Sequence, residues 1–338
     1  MKKSLKIALS VLLLCIVFVV KNNLSTKTKV DNIKFIINPG DSFNIITDNL
    51  FKTGIIKDKL FFVGFAYFNG DYSLLKPGEY LFNGNYSMTE VLEMLKTNLG
   101  ISVTIPEGFN IFQIENELIN KGIIGKKGEL VNFKISNLQD DFDRYYFLKD
   151  IDKNNNLEGF LYPNTYFFLK NTEIKDVVFM FLDNFNDEIY MKIKAEIGNK
   201  DLYTKLILAS LLEKEIYHKE DMPEALSVIY NRIAQNMPLQ IDATLCYIKI
   251  QNNYINGRSL DCGVLSNVDK KLDSLYNTYV NKGLVITPIC NVNLETLKQT
   301  ISRIETDYLY YITDPATKNT IFAKTLKEHN ANIQKYLK

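Results

Sequence analysis

The chain has 338 residues, enough for two or three domains. Lys and Arg number 40 against 39 Asp and Glu, a formal net charge of +1, so the basic excess of a nucleic-acid footprint is missing and no nucleic acid is expected as a partner. Four cysteines without a CxxC pair and only two histidines argue against a structural zinc site, and neither a metal nor a cofactor is expected.

Three lysines within the first six residues flank an apolar stretch from Leu5 to Val20, broken by Lys6 and Ser10. It is shorter than the roughly 20 residues of an ordinary span, but Lys6 and Lys21 can snorkel from its ends. Val17-Phe18-Val19-Val20 lacks the small-x-small pattern of a cleaved signal peptide. Leu12-Leu13-Leu14 before Cys15 is too bulky for a lipoprotein signal. Residues 1–21 are therefore read as a cytoplasmic tip and an uncleaved signal anchor, a single membrane span with the long C-terminal part outside the cytoplasm. Residues 22–33 are polar and read as a linker.

From Lys34 the pattern changes. Phe35-Ile36-Ile37 is strand-like and Asn38-Pro39-Gly40-Asp41 is a turn signal. Ser42 can cap a helix through Leu50 that Gly54 closes, and a second helix is expected from Asp58 to Phe68. Leu75 to Phe82 reads as turn then strand. Ser87 with Glu90 makes a capping box for a helix to Leu99. The strand, Pro-Gly turn and helix recur at Ile101 to Lys121, as if one small unit were used twice. Leu157 to Leu169 is rich in aromatics. Helices are expected over 172–198, 201–219 and from Pro223 to Ile233. Residues 239–283 read as polar and turn-rich, 291–303 as helix, 307–313 as strand and 325–337 as a closing helix. The fold class is α+β. Cys246, Cys262 and Cys290 leave room for one disulfide, and all three are read as small buried side chains.

Leu206 to Glu215 is apolar on every side and ends in carboxylates. Such a helix is buried. Its charged end reads first as an ordinary solvent-facing terminus, but a Glu placed where the helix meets a cleft is desolvated, keeps its proton near neutrality and can act as a general acid. Glu213 and Glu215 point to nearly opposite sides, so both cannot face one cleft, and periodicity does not choose between them. Glu215 could pair with Lys219 at i+4. Gln240, Asp242 and Thr244, and Asn277 between Tyr276 and Tyr279, mix amides, hydroxyls and rings in a way that suits a sugar, although each alone also fits turn chemistry.

Leu157-Glu158-Gly159-Phe160-Leu161-Tyr162-Pro163-Asn164-Thr165-Tyr166, Ala209-Ser210-Leu211-Leu212-Glu213-Lys214-Glu215, Tyr230-Asn231-Arg232, Leu239 to Thr244, Tyr276 to Tyr279 and Gly283-Leu284 occur in this order, with Asp307 to Tyr311 and Glu328-His329-Asn330 in the tail. Together they resemble the MltG (YceG-like) family of endolytic murein transglycosylases from about Lys34 to the C-terminus. The resemblance implies cleavage of MurNAc–GlcNAc β-1,4 bonds inside peptidoglycan strands, leaving 1,6-anhydro-MurNAc ends and terminating new strands. It implies Glu213 as catalytic residue, a LysM-like module over 34–100 and a catalytic region over 101–338. It places Gln240, Asp242, Thr244, Asn277, Tyr279, Asn231, Tyr162 and Glu158 in the substrate site, Glu158 more as a structural than a catalytic group. The implied partners are peptidoglycan strands, the membrane and cell-wall synthases. Two other readings stand beside it: a membrane-tethered glycan-binding scaffold without activity, and a hydrolytic muramidase. The chain departs from the family pattern at Val285-Ile286-Thr287-Pro288-Ile289, at Asn291-Val292-Asn293, and at Thr320, where a His is common.

Overall fold

A computed structural model describes residues 26–38, 40–97, 100–168, 170–197, 199–301 and 304–337. The expected anchor over 1–21 lies outside them. No helix among the described residues is long and apolar enough to cross a membrane. Among the described residues the architecture is α+β, with three two-stranded sheets among many helices. The chain divides into two compact units, residues 1–102 with 166–170, and residues 103–165 with 171–338.

In the first unit, β1 (Thr28–Ile37) is followed by α1 (Phe43–Lys52), α2 (Lys59–Asn69), β2 (Gly78–Tyr86) and α3 (Met88–Lys96). β1 begins inside the stretch read as a linker, because its Val30 is buried with Phe35 and Ile37 and so belongs to the core. β1 and β2 pair antiparallel, with Phe35 opposite Tyr80 and Ile37 opposite Gly78. Alternation puts Phe35 and Ile37 on the inner face, where Leu50, Phe62, Phe82 and Leu95 complete the core. The two expected caps form: Ser42 accepts from the Ile45 N–H, and Ser87 and Glu90 make the reciprocal box; Asp58 caps α2 as well, accepting from the Phe61 N–H.

β3 (Ile101–Thr104) pairs with β4 (Thr165–Phe168), and the division between the units falls within this sheet. In the second unit, α4 (Ile111–Asn120) starts at an Asn110 cap boxed with Gln113. α5 (Ile174–Phe185) leads through a wide π turn at Asn186–Tyr190 into a last turn, Met191–Ile193, where one long helix was expected. α6 (Asn199–Glu215) carries the apolar run; Leu206, Leu208, Ala209, Leu211 and Leu212 are buried. It packs against α7 (Met222–Ala234), α8 (Asp242–Ile255) and α9 (Leu294–Gln299). β5 (Tyr310–Thr313) and β6 (Thr320–Ala323) form an antiparallel hairpin, and α10 (Leu326–Tyr336) packs on it.

α8 corrects the reading of 239–283 as turns. Its polar Asp242, Lys249, Gln251 and Asn252 mask an inward face of Leu245, Ile248 and Tyr254, all buried. Cys246 and Cys262 are not inert buried thiols but a disulfide, tying α8 to the loop that follows it; Cys290 is free and buried.

Candidate active site

The end of α6 sets the site. Successive residues turn about 100° around a helix, so Glu213 and Glu215 project about 200° apart. Glu213 accepts a hydrogen bond from the Thr296 hydroxyl of α9 at 2.6 Å. Burial pushes its pKa up, against that bond. Its charged surroundings are Glu107, Lys219 and Lys214. Lys219 pairs with Glu295 at 2.9 Å, so the expected Glu215–Lys219 pair does not form. Glu215 instead accepts the Ala243 N–H in the first turn of α8 at 2.8 Å. Burial is the largest influence on it and the Asp242 carboxylate adds to it, so that its pKa is pushed up to about 7 although the Ala243 N–H opposes the shift.

Glu215 lines a cleft of about 320 Å³ with Arg232, Gln240, Asp242, Tyr279 and His329. Tyr311 and Thr313 of β5 complete one wall. Three of the residues expected to bind substrate, Gln240, Asp242 and Tyr279, therefore meet at Glu215, and Glu213 is not in the wall. The Tyr279 hydroxyl donates to Asp242 at 2.5 Å. Gln240 has φ +52°, a left-handed backbone that a residue with a side chain seldom takes, and its N–H donates to the Thr278 carbonyl at 3.0 Å. Such strain persists where the surroundings over-determine it. Here Thr278 Oγ1 also accepts the Ile241 N–H, and the Thr244 hydroxyl donates to the Ile241 carbonyl.

The other expected substrate residues hold the frame. Thr244 and Asn277 are fully buried. Asn277 donates to the Lys270 and Leu272 carbonyls and accepts the Tyr279 N–H, which sets the loop that presents Tyr279. Asn231 donates to the Thr306 and Tyr308 carbonyls. Glu158 is 1 % exposed and out of a substrate's reach. It accepts from the Ile111 N–H, the Tyr247 hydroxyl and Asn291 Nδ2, while Asn291 Oδ1 takes the Gly159 and Leu161 N–H groups. Burial nevertheless pushes the Glu158 pKa up to about 8, the three donors opposing it. Gly159 is needed at this junction: at φ +90°, a Cβ would lie 2.6 Å from Pro288 Cγ. The segment Val285–Asn293 thus supplies Pro288 and Asn291 to the frame. Tyr162 is half-buried and outside the cleft wall. Thr320 opens β6 and donates its N–H to Asp221.

A larger hollow of about 490 Å³ is lined by Asn231, Glu305, Thr306, Asp307, Tyr308 and Lys324. Its carboxylates are exposed and Asp307 pairs with Lys324, so it lacks the desolvated acid that the α6 cleft holds. Among the described residues no cluster of three or more His, Cys, Asp and Glu could hold a metal ion. Arg232 and His329 belong to the cleft although no role was assigned to them from sequence; both stood inside recognised motifs, Tyr230-Asn231-Arg232 and Glu328-His329-Asn330.

Residues 35–335 match the YceG-like family. A curated endolytic murein transglycosylase of Bacillus subtilis is 30% identical over 312 residues, spanning 88% of this chain and 83% of the relative. One from Streptococcus pneumoniae is 26% identical over 321 residues; the match covers 88% of this chain but 57% of that longer protein. Among solved structures, a yceG-like protein of Listeria monocytogenes is similar with a TM-score of 0.54 and 25% identity, over 90% of this chain and 99% of that one.

Proposed function

The chain belongs to the YceG-like family, and from that premise we propose that it is a lytic transglycosylase that cuts inside peptidoglycan glycan strands, with Glu215 as its acid and base. The observation that carries the assignment is the meeting of Glu215 with Gln240, Asp242 and Tyr279 in one cleft, its carboxyl held to about pKa 7. This moves the catalytic role from Glu213, whose side chain turns to Thr296 on the other side of α6.

Protonated Glu215 gives its proton to the glycosidic oxygen of the MurNAc–GlcNAc bond, and the C1–O bond breaks. The substrate's own N-acetyl group stabilises the oxocarbenium-like centre. Ionised Glu215 then takes the proton from the MurNAc C6 hydroxyl, whose oxygen closes on C1 to give the 1,6-anhydro end, and the carboxyl is protonated again. One carboxylate suffices because no external water is activated, unlike the two of ordinary glycosidases. The Ala243 N–H steadies the carboxylate between the two transfers.

Within the same reading, residues 1–21 anchor the enzyme in the membrane with its bulk outside the cytoplasm. The strand–helix–helix–strand core of the first unit serves as the LysM-like module. Ending of nascent strands, beside cell-wall synthases, is the cellular role that the family resemblance implies.

The test is digestion of isolated glycan strands with mass analysis of the new ends. The unmodified chain should release 1,6-anhydro ends. Glu215→Gln should lose at least about a hundredfold in rate, the scale of a general acid, with its melting temperature kept. Glu213→Gln should still cut. Reducing ends in place of anhydro ends would make the enzyme a hydrolase, and activity surviving in Glu215→Gln with loss in Glu213→Gln would return the role to Glu213.

A further inference from the structure

One side of the cleft carries two nitrogen donors, Arg232 and His329. Arg232 gives Nε–H to the Leu309 carbonyl at 2.6 Å and Nη1–H to the Leu239 carbonyl at 2.8 Å and that of Pro238 at 3.2 Å. Its Nη2 has no hydrogen bond among the described residues, and a guanidinium has no acceptor. The guanidinium lies over the Tyr310 ring at 5.0 Å. His329, from α10, stacks on the same ring, with centroids 5.0 Å apart and planes at 27°.

His329 Nδ1 is buried and has no hydrogen-bond partner among the described residues. A neutral imidazole carries one N–H and one lone pair. An N–H orphaned at Nδ1 would cost about 1–3 kcal/mol, and orphaned donors are rarer than under-satisfied acceptors. The proton therefore sits on Nε2. Burial and the Arg232 charge both hold the ring below its usual pKa of 6.5, so the neutral form prevails at pH 7. The charge acting on His329 is Arg232, whereas the charge acting on Glu215 is Asp242. Tyr279 and Tyr311 stand between the two, each feeling both Glu215 and Arg232.

We propose that Arg232 and His329 form a subsite for the carbonyl oxygen of a glycan N-acetyl group, with His329 Nε2–H as the donor that reads it. The proposal rests on the transglycosylase reading for the class of ligand. A hydroxyl satisfies donors or acceptors alike, whereas two nitrogen donors that cannot accept favour an oxygen that can only accept. The same place rejects a de-N-acetylated sugar, whose ammonium would face the Arg232 guanidinium. His329 is a specificity-determining residue in this account, distinct from the proton transfers of Glu215.

The test uses the full chain carrying Glu215→Gln, titrated with uncrosslinked glycan strands and with the same strands chemically de-N-acetylated. The acetylated strands should bind about tenfold tighter or more. Adding His329→Asn, whose amide falls short of the Nε2 position, should weaken binding of acetylated strands about fivefold to tenfold, one hydrogen bond's worth. It should leave the de-N-acetylated strands unchanged. His329→Gln, whose amide reaches that position, should restore most of the difference. Undiminished discrimination in the Asn variant overturns the proposal, and so does an equal loss for both kinds of strand. If the Asn variant melts early, the Gln variant decides alone, and loss of its discrimination is the overturning result. Cleavage by the unmodified chain is scored apart: uncut strands with the binding pattern intact would overturn the transglycosylase reading and leave the subsite standing.

Discussion

Glu213 and Glu215 were indistinguishable in sequence because the helix that carries them is apolar all round, so periodicity supplies no outward face. What separates them is long-range: Thr296 comes to one and the Ala243 N–H to the other, from helices that follow later in the chain. The same blindness affected Glu158 and Asn277, whose polar type suggested a ligand but whose partners are groups of the protein itself. Gln240, Asp242 and Tyr279, singled out by the same mixture of types, line the cleft. The Glu215 assignment has a pH consequence. Its folded pKa, about 7, stands above the ordinary glutamate value of 4.5. Protonation therefore favours the native state: this group's stabilising contribution is full below about pH 4.5 and is lost as pH rises through about 7. Activity should follow the same group, with log kcat/KM flat below pH 7 and falling by about one unit per pH unit above it. Initial rates of strand cleavage from pH 5 to 9 measure this, and a rate still rising at pH 8 would contradict the acid role.

Elements defined by local signals were the most legible. The helices capped by Ser42 and Ser87 begin where their caps announce them, because one side chain satisfying an orphan N–H is a short-range event. α8 was missed because its exposed face is rich in Asn, Lys and Gln, and because its apolar face is partly aromatic. Tyr247 and Tyr254 serve there as core residues against Phe112. The disulfide belongs to this element. Cys246 and Cys262 are 16 apart in sequence, and closing a loop of that size is worth about 3 kcal/mol against the unfolded chain. Cys246→Ser should therefore lower unfolding stability by about 2–4 kcal/mol. A chemical-denaturation midpoint that a thiol reductant shifts in the parent and leaves unchanged in the variant is the expected outcome. No shift in the parent would mean that the bond does not form in solution.

The whole chain was read from sequence as a small module followed by a catalytic region, cut once near residue 100. Residues 166–170 group with residues 1–102, apart from the residues that flank them in the chain. Sequence patterns could not reveal this: Tyr166 and Phe168 look like any strand residues, and which unit takes them is decided by packing. The consequence is one of timing during synthesis. The first unit cannot gather all of its chain until residue 170 has left the ribosome, by which time a quarter or so of the second unit has emerged as well. Folding of the first unit should thus be marked by two stages, a β1–β2 core available early and a final gain in protease resistance late. Ribosome-stalled chains ending near residue 150 and near residue 210 would separate them, the longer chain protecting residues 28–102 better. Equal protection at both lengths would mean that the 166–170 segment adds nothing to the first unit's stability.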